Sequence, residues 1–250
     1  MLKNEREREI IQYLKEKDGF GATKELCKAL FASESSIRRD LAVLEKRGIV
    51  KRTYGGCELV TNYSGSIAFS DRAHHNVEAK KIIAKKASEL IRDGDVIFLD
   101  QSSSAYYLAE RIAQNSSLVV VTNNIEILSL LSSSKMKVIS SGGSLCEGNR
   151  SCLVGSEAEK CFEEIFADIL FFSTKSVTDD GIISDCSREE VAVRKRMLKN
   201  ARKKVYLCDS EKIGTLCAYK QCELSEVDAV VSERDEIEIF RNKFENLNIK

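Results

Sequence analysis

The stretch SESSIRRDLAVLEKRG, residues 33–48, decides how the first part of this 250-residue chain folds. Within it Ile37, Leu41 and Leu44 are spaced i, i+4 and i+7, which predicts an amphipathic helix with one buried face. Ser33 is the kind of residue that caps the first turn of such a helix. If the three apolar side chains point inward, the serines and arginines near the start of the helix lie on its outward face.

The residues before this helix predict two further short helices. The first carries Ile10 and Leu14 on one side, and Gly21 separates it from the second, in which Leu26 and Leu30 face inward. Two helices joined by a short turn are typical of helix-turn-helix proteins, which place the start of the second helix in the major groove of DNA. Arginine can bond guanine there through two atoms, and serine hydroxyls suit phosphates or bases.

A basic hairpin is predicted directly after the helix. Residues 49–52 and 57–60 alternate as strands around a Tyr-Gly-Gly turn, and glycine lets the backbone come close to a phosphate. This is typical of a wing that lies beside the duplex. We therefore predict contacts to double-stranded DNA from Ser33, Ser35, Ser36, Arg38, Arg39, Lys51, Arg52, Tyr54, Gly55 and Gly56.

Three regions follow from the patterning along the chain. Residues 1–60 form the predicted winged helix-turn-helix domain, and residues 61–76 lose periodicity and are predicted to be a linker. Residues 77–250 alternate helices with short β-branched strands, as in parallel βαβ units. The predicted fold class is therefore α/β, with a winged helix followed by a domain that has a mainly parallel sheet.

Polar groups follow several of the predicted strands in the second domain. Asp100 ends a strand, and the three serines after it open a helix, where hydroxyls and free backbone N–H groups suit a phosphate. Asn123, the Gly142-Gly143 pair and Asp209 follow three other strands, and Lys212 lies just beyond. Each residue alone is better explained as part of a turn, a helix cap or a surface charge. Together, at the carboxyl edge of a parallel sheet, they predict a pocket for a small phosphorylated sugar.

The segment from Ser33 to Gly56 resembles the DeoR family of bacterial transcription regulators. Their winged-helix motif reads roughly S-E-x-T-I-R-R-D-L…L…G-x-x-x-R-x-H-G-G, with Ser36 and Tyr54 here in place of Thr and His. The resemblance runs through most of the chain. It implies a sensor domain similar in fold to sugar-phosphate isomerases and CoA-transferases, and effector contacts at the serines, Asn123 and Lys212.

Two sensor loops depart from the family motifs. Gln101 and Ser102 replace Ser-Gly, and Lys175-Ser176 stands where Asp or Asn followed by Gly is usual. Lys175 favours either an additional anionic group on the ligand or loss of the usual ligand. The predicted effector residues are Asp100, Ser102, Ser103, Ser104, Asn123, Gly142, Gly143, Lys175, Asp209 and Lys212.

Several classes of protein are not expected from this sequence. No apolar run approaches the roughly 18 residues of a transmembrane helix, and the first ten residues lack the apolar core of a signal peptide. Nine cysteines without any C-x-x-C spacing predict reduced thiols in the cytoplasm. Cys146 and Cys152 lie on either side of a glycine-rich segment. A role as small buried apolar residues is favoured for them over a role as a redox sensor. His74 and His75 lack a cluster of further ligands, so neither a metal nor a cofactor is predicted.

The sequence thus predicts a transcriptional repressor that binds DNA as a homodimer or homotetramer and responds to a phosphorylated sugar. One alternative is an enzyme acting on a sugar phosphate, with Asp100 and Asp209 as candidate bases. The other is a DNA binder whose pocket takes no ligand.

Overall fold

The computed structural model describes residues 3–17, 20–46, 49–59, 69–234, 240 and 248–249. The chain divides into two compact units, Met1–Ile67 and Ala68–Lys250. In the described part of the chain, no helix has the length and apolar character needed to cross a membrane.

The first unit is a three-helix bundle with a small sheet. Its buried core is formed by Ile10 and Leu14 of the first helix, Leu26 of the second, and Ile37 and Leu44 of the third. In chain order the elements are α1 (Lys3–Glu16), β1 (Phe20–Ala22), α2 (Thr23–Ala29), α3 (Glu34–Lys46), β2 (Val50–Thr53) and β3 (Gly56–Leu59). The strands pair antiparallel in the order β1-β3-β2.

Strand β1 was not predicted, because its glycine was interpreted only as a helix breaker. In the structure Gly21 pairs with Cys57 of β3, and a Cβ atom on Gly56 would lie 2.5 Å from the Gly21 carbonyl oxygen. Gly56 is therefore buried against β1. The close approach that this glycine permits is to another strand, and its contact with DNA stays a prediction.

The second unit is a three-layer α/β domain. Its first half consists of α4 (Phe69–His74), α5 (Val77–Ser88), β4 (Val96–Leu99), α6 (Ser103–Ile112), β5 (Val119–Thr122), α7 (Ile125–Leu131), β6 (Lys137–Ser140), β7 (Ser144–Leu145) and β8 (Leu153–Val154). Its second half consists of α8 (Ser156–Glu164), β9 (Ala167–Phe172), β10 (Ser176–Val177), β11 (Ile182–Asp185), α9 (Arg188–Asn200), β12 (Ala201–Leu207), β13 (Tyr219–Glu223), β14 (Ala229–Val231) and β15 (Asn248–Ile249). The helix α4 lies inside the stretch 61–76 that the sequence predicted as linker.

A seven-stranded parallel sheet forms the middle layer, in the order β15-β14-β12-β9-β4-β5-β6. Successive side chains of a strand serve opposite faces: Ile97 packs in one apolar cluster with Leu108 of α6, and Phe98 in the other with Phe162 of α8. This confirms the predicted fold class. Because all the strands point the same way, the loops after β4, β5, β9 and β12 meet at one edge of the sheet.

Two small antiparallel additions were not predicted. Strands β10, β11 and β13 form a second sheet, in the order β10-β11-β13, and β7 pairs with β8. Their short length and distant partners leave little periodic signal in the sequence.

Candidate functional site

The start of α3 presents a row of serines to solvent. The Ser33 hydroxyl accepts a hydrogen bond from the Ser36 N–H at 3.3 Å, which confirms Ser33 as the N-terminal cap. It also lies 3.1 Å from the Ser35 hydroxyl and 2.9 Å from that of Ser36. These hydroxyls bond one another without engaging the interior, so they are free to exchange partners with a phosphate.

Arg38 and Arg39 both extend outward from α3. The Arg38 side chain is 63% exposed and forms an ion pair with Glu34 one turn earlier, at 2.7 Å. Arg39 is exposed and donates from Nε to the Ser35 carbonyl oxygen at 3.3 Å. Exposed pairs of this kind contribute about 0–1 kcal/mol, so neither guanidinium is held strongly away from a new partner.

Asp40, on the opposite side of the same turn, anchors the helix. It is 1% exposed, and Arg6 of α1 donates from Nε to one of its oxygens at 2.5 Å. The hydrogen bond to Asp40 raises the pKa of Arg6. The structure therefore turns the Asp40 carboxylate towards the bundle and the side chains of Arg38 and Arg39 towards solvent.

The hairpin carries its basic residues on the exposed side. Lys51, Arg52 and Tyr54 are exposed, and Glu45 of α3 accepts from the Arg52 backbone N–H at 2.9 Å. Gly55 has φ +86°, a conformation that favours glycine, and its carbonyl oxygen accepts from the Thr23 N–H at 2.9 Å. The tip of the hairpin is thus fixed to the start of α2.

The second unit places a helix N-terminus at the carboxyl edge of its sheet. Ser102 caps α6, because its hydroxyl accepts from the Ala105 N–H at 3.1 Å. The N–H groups of Ser103 and Ser104 belong to the first turn, which has no intrahelical acceptor for them. The Ser104 hydroxyl is buried and has no hydrogen-bond partner among the described residues.

Asp100 is held by partners on both of its oxygens. Oδ1 accepts from the Ser102 N–H at 3.1 Å, and Oδ2 accepts from the Ser173 N–H at 3.1 Å and from Arg194 Nε at 2.9 Å. Arg194 is 1% exposed and also pairs with Asp185 at 3.2 Å. Burial alone would lower the pKa of Arg194, but the charges of Asp185 and Asp100 outweigh it and raise the pKa. Asp100 therefore shapes the loops and has little capacity left for a ligand.

Glu190 of α9 connects two loops at the same edge. Its carboxylate accepts from the Gln101 side-chain amide at 2.8 Å and from that of Asn149 at 3.0 Å. Asn123 donates to the Leu153 carbonyl oxygen at 3.0 Å. In each of these three amides the N–H end is used, while the oxygens of Gln101, Asn123 and Asn149 are buried without a partner among the described residues.

Two lysines lie near Asp209. Lys212 Nζ is 3.2 Å from Asp209 Oδ2 and also donates to the Ser173 hydroxyl. Lys80 of α5 is 4% exposed and donates to the Arg72 carbonyl oxygen at 2.7 Å. Burial first, and then the charge of Lys212, lower the pKa of Lys80 to about 8. Burial would raise the pKa of Asp209, but the two ammonium groups outweigh it and lower the pKa.

Models of two known domains match consecutive parts of this chain. The DeoR-like helix-turn-helix domain matches residues 6–62, and the DeoR C-terminal sensor domain matches residues 75–234. The chain belongs to the DeoR family.

Curated relatives in the DeoR family align along almost the whole chain. The HTH-type transcriptional regulator GlpR of Haloferax volcanii is 29% identical over 245 residues, which are 95% of each protein. The lactose phosphotransferase system repressor of Staphylococcus epidermidis is 30% identical over 236 residues, or 91% of each protein.

Solved structures similar to this DeoR-family chain match part of it. Ribose 5-phosphate isomerase A from Methanocaldococcus jannaschii aligns with a TM-score of 0.42 and 19% identity, over 55% of both chains. The corresponding enzyme of Neisseria gonorrhoeae aligns with a TM-score of 0.41 and 15% identity, over 54% of this chain and 53% of that one.

Three predicted effector residues of the DeoR sensor motifs, Gly142, Gly143 and Lys175, are either exposed or packed against another strand. A Cβ atom on Gly143 would lie 2.4 Å from the Val154 carbonyl oxygen, so this glycine is explained by the close pairing of β7 and β8. Gly142 has φ +65° and is exposed. Lys175 is exposed, and its charge acts on the thiols of Cys186 and Cys217.

Sequence reasoning missed several residues that complete the DeoR sensor edge. Arg194 and Glu190 lie in helix α9, for which no function was predicted from the sequence. Arg194 could not be distinguished from the other basic residues of this segment by residue type. Its position among the buried residues of α9 is a signal that could have identified it. Lys80 and Asn149 carried no motif, and their roles depend on partners far away in the chain.

Proposed function

We propose that this DeoR-family protein is a transcriptional repressor whose affinity for a DNA operator is set by a small phosphorylated sugar. The observation that carries the proposal is a set of buried polar oxygens without a partner among the described residues, those of Gln101, Ser104, Asn123 and Asn149. Like Lys212, they belong to the loops and the helix start at the carboxyl edge of the sheet. Buried polar groups are almost always hydrogen-bonded, so several unpaired ones together indicate that a ligand completes them.

The phosphate end of the ligand is expected at the start of α6. First-turn N–H groups and the positive end of the helix dipole favour an anion there, and Lys212 supplies an ammonium from the loop after β12. Lys80 adds a second positive charge near Lys212. A dianionic phosphate would satisfy both lysines better than Asp209 does alone.

The sugar end is expected among the amide oxygens. Gln101, Asn123 and Asn149 all present acceptors, and sugar hydroxyls are donors that fit them. These three residues are contiguous: Glu190 links Gln101 to Asn149, and the Asn149 loop joins Asn123 through Cys152. An apolar ligand would leave the three oxygens unsatisfied.

The DNA end is the outward face of α3 with the basic hairpin. Arg38 and Arg39 project from the first turns of α3, which is the part that helix-turn-helix proteins place against base edges. One winged helix makes few contacts, so two or four copies are expected to bind half-sites about 34 Å or a multiple of it apart. Effector and operator affinities are then linked by one coupling free energy, typically about 1–3 kcal/mol.

The ion pairs of the two candidate bases, Asp100 and Asp209, favour a regulatory role without catalysis. Asp100 is neutralised by Arg194, and Asp209 lies within an ion pair with Lys212. A general base must reach a carbon-bound proton of the substrate with a free lone pair. Neither carboxylate is placed to do so.

The test combines ligand binding with operator binding. The full chain is first used to select its operator from random duplex DNA, and the complex is then titrated with triose, pentose and hexose phosphates by gel shift and thermal shift. The sugars without phosphate are the matched controls. We expect one class of phosphate to raise the melting temperature and to change operator affinity. Failure of every phosphate to do either contradicts the proposal and favours a DNA binder with an unused pocket, whereas turnover of a sugar phosphate favours the enzyme.

A further inference from the structure

Two cysteines distant in the sequence meet in the sensor unit. The Sγ atoms of Cys186 and Cys217 lie 3.2 Å apart, although the residues are 31 positions apart in the chain. A disulfide has an S–S length of about 2.0 Å, so bond formation needs a movement of only about 1 Å.

The backbone around the two thiols fixes this proximity. Cys186 directly follows β11, and Cys217 lies two residues before the start of β13; these strands pair with Asp185 opposite Tyr219. The Cys217 N–H also donates to the Ser184 hydroxyl of β11 at 2.9 Å. The thiols therefore face each other because of strand pairing, and both remain partly exposed to solvent.

The surroundings of the two thiols shift their pKa values in opposite directions. The hydrogen bond donated by Cys186 is the main cause that lowers the pKa of Cys217, to about 7, with Ser176 acting in the same direction. The charge of Lys175 also favours the thiolate. The same contact between the sulfurs raises the pKa of Cys186. By contrast, burial raises the pKa values of Cys208 and Cys222 to about 12. The thiolate form is thus favoured at Cys217 over Cys186, and Cys186 is placed to act as the resolving thiol.

We propose that Cys186 and Cys217 form a reversible disulfide when the protein meets a peroxide. The Cys217 thiolate attacks one peroxide oxygen, an S–O bond forms, the O–O bond breaks, and the departing hydroxide takes up a proton as water. Cys186 then attacks the Cys217 sulfur, an S–S bond forms, and the S–O bond breaks to release hydroxide, which takes the Cys186 proton. Two thiols lose two electrons, and the peroxide is reduced to two waters.

The disulfide would join two segments that build the pocket. Cys186 lies between Asp185, which pairs with Arg194, and Ser187, the cap of the helix that carries Glu190. Cys217 lies in the loop that leads on from Lys212. This part of the inference rests on the proposed function. Because the bond draws the Lys212 loop towards the start of α9, the oxidised form is expected to need more effector for the same change in operator affinity.

The first experiment treats the reduced full chain with a small excess of hydrogen peroxide. Intact mass spectrometry should show a loss of about 2 Da, peptide mapping should join Cys186 to Cys217, and dithiothreitol should reverse both. Cys217→Ser should give no such product, and Cys186→Ser should stop at a sulfenic acid that dimedone traps. Cys161→Ser, in a partly exposed thiol elsewhere, is the control and should behave like the wild type. An unchanged wild-type mass, or a disulfide mapped to other cysteines, overturns the proposal even if a variant fails to fold.

The second experiment keeps the two proposals distinguishable. The oxidised and reduced wild type are titrated with the sugar phosphate that acts on the reduced protein, and the concentration for half of the operator response is compared. We expect an increase of at least about threefold on oxidation and none in Cys217→Ser. An identical response overturns the regulatory part alone. If no sugar phosphate acts on either form, the proposed function fails, while the mass measurement still decides the disulfide.

Discussion

Arg194 balances the buried charges of the sensor unit. It is the largest fully buried side chain there, and it pairs with Asp100 and Asp185 while donating to Gln221 at 2.8 Å. Desolvating three charged groups is costly, and only mutual pairing makes it tolerable. This cluster fixes the loop after β4, on which the serines of the candidate pocket depend.

Replacement of this arginine should therefore destabilise the sensor unit strongly. Arg194→Met keeps the volume but leaves two carboxylates without a cation, which should cost about 3–5 kcal/mol of unfolding free energy in urea at neutral pH. Arg196→Met on the same helix is the matched control, because its pair with Glu159 is partly exposed and should contribute less than about 1 kcal/mol. Equal losses in the two variants would contradict the role of Arg194.

Lys80 makes stability depend on pH in the alkaline range. Unfolded lysine keeps its proton up to about pH 10.4, whereas the folded pKa is lowered to about 8. Between these values the unfolded state binds more protons, so stability should rise with pH. The charges of Lys212 and Arg72 add to this effect, and those of Asp209 and Glu211 oppose it. Unfolding free energies of wild type and Lys80→Met from pH 7.5 to 10 test this: the wild type should gain relative to the variant, and parallel curves would refute it.

Arg38 and Arg39 should matter for DNA and not for folding. Both are exposed, so Arg38→Ala and Arg39→Ala should leave thermal stability nearly unchanged. If either makes a base contact through two atoms, its loss should weaken operator binding by about 1–3 kcal/mol and relax specificity at one position. Arg196→Ala in the sensor unit is the control for net charge. Unchanged footprints in both α3 variants would remove the recognition role of this helix.

At the scale of elements, long periodic segments were predictable and short paired ones were not. The sequence predicts a helix over 188–200 and strands over 119–122 and 137–140, and α9, β5 and β6 have these bounds because their residues repeat a local pattern. Strands β1, β10 and β13 form because they pair with residues 6 to 41 positions away, and a short run of sequence does not indicate which distant residues it will pair with. The candidate pocket shows the same difference. The serines that follow a strand can be recognised in the sequence, but the burial of the Arg194 side chain depends on tertiary contacts.

The wing offers a test of one such pairing. Gly56→Ala would bring a Cβ atom to 2.5 Å from the Gly21 carbonyl oxygen, so β1 and β3 must separate. We expect a loss of about 1–3 kcal/mol in the unfolding of the first unit and weaker operator binding. Gly55→Asn is the control, since no atom lies within 4 Å of a Cβ there and asparagine tolerates a positive φ. Circular dichroism during thermal unfolding measures both variants, and an unaffected Gly56→Ala would mean that the strands adapt at no cost.

At the scale of the molecule, the first helix of the sensor unit is attached to the residues of the candidate pocket. Lys80 donates to the carbonyl oxygens of Arg72 and His75 at the end of α4, and Tyr107 of α6 donates to that of Ala73 at 2.9 Å. His75 also pairs with Glu211, next to Lys212, at 2.7 Å. The chain before α4 leads to the wing. A ligand that changes the charge around Lys80 and Lys212 would therefore act on the end of α4, the first helix of the sensor unit.

Lys212 should couple the ligand to the operator without contributing to DNA affinity itself. Lys212→Ala removes the ammonium that faces Asp209 and Ser173, so a phosphate loses a charged hydrogen bond worth about 1.5–3 kcal/mol. The effector concentration for half response should rise about 10- to 100-fold, while operator affinity without effector stays within about twofold of the wild type. Lys220→Ala, at an exposed pair with Glu223 in the same unit, is the control and should leave both quantities unchanged. Effector and operator binding share one coupling free energy, so a variant that also lost operator affinity would have shifted the conformational equilibrium of the protein without effector. An unaltered effector response would exclude Lys212 from the site.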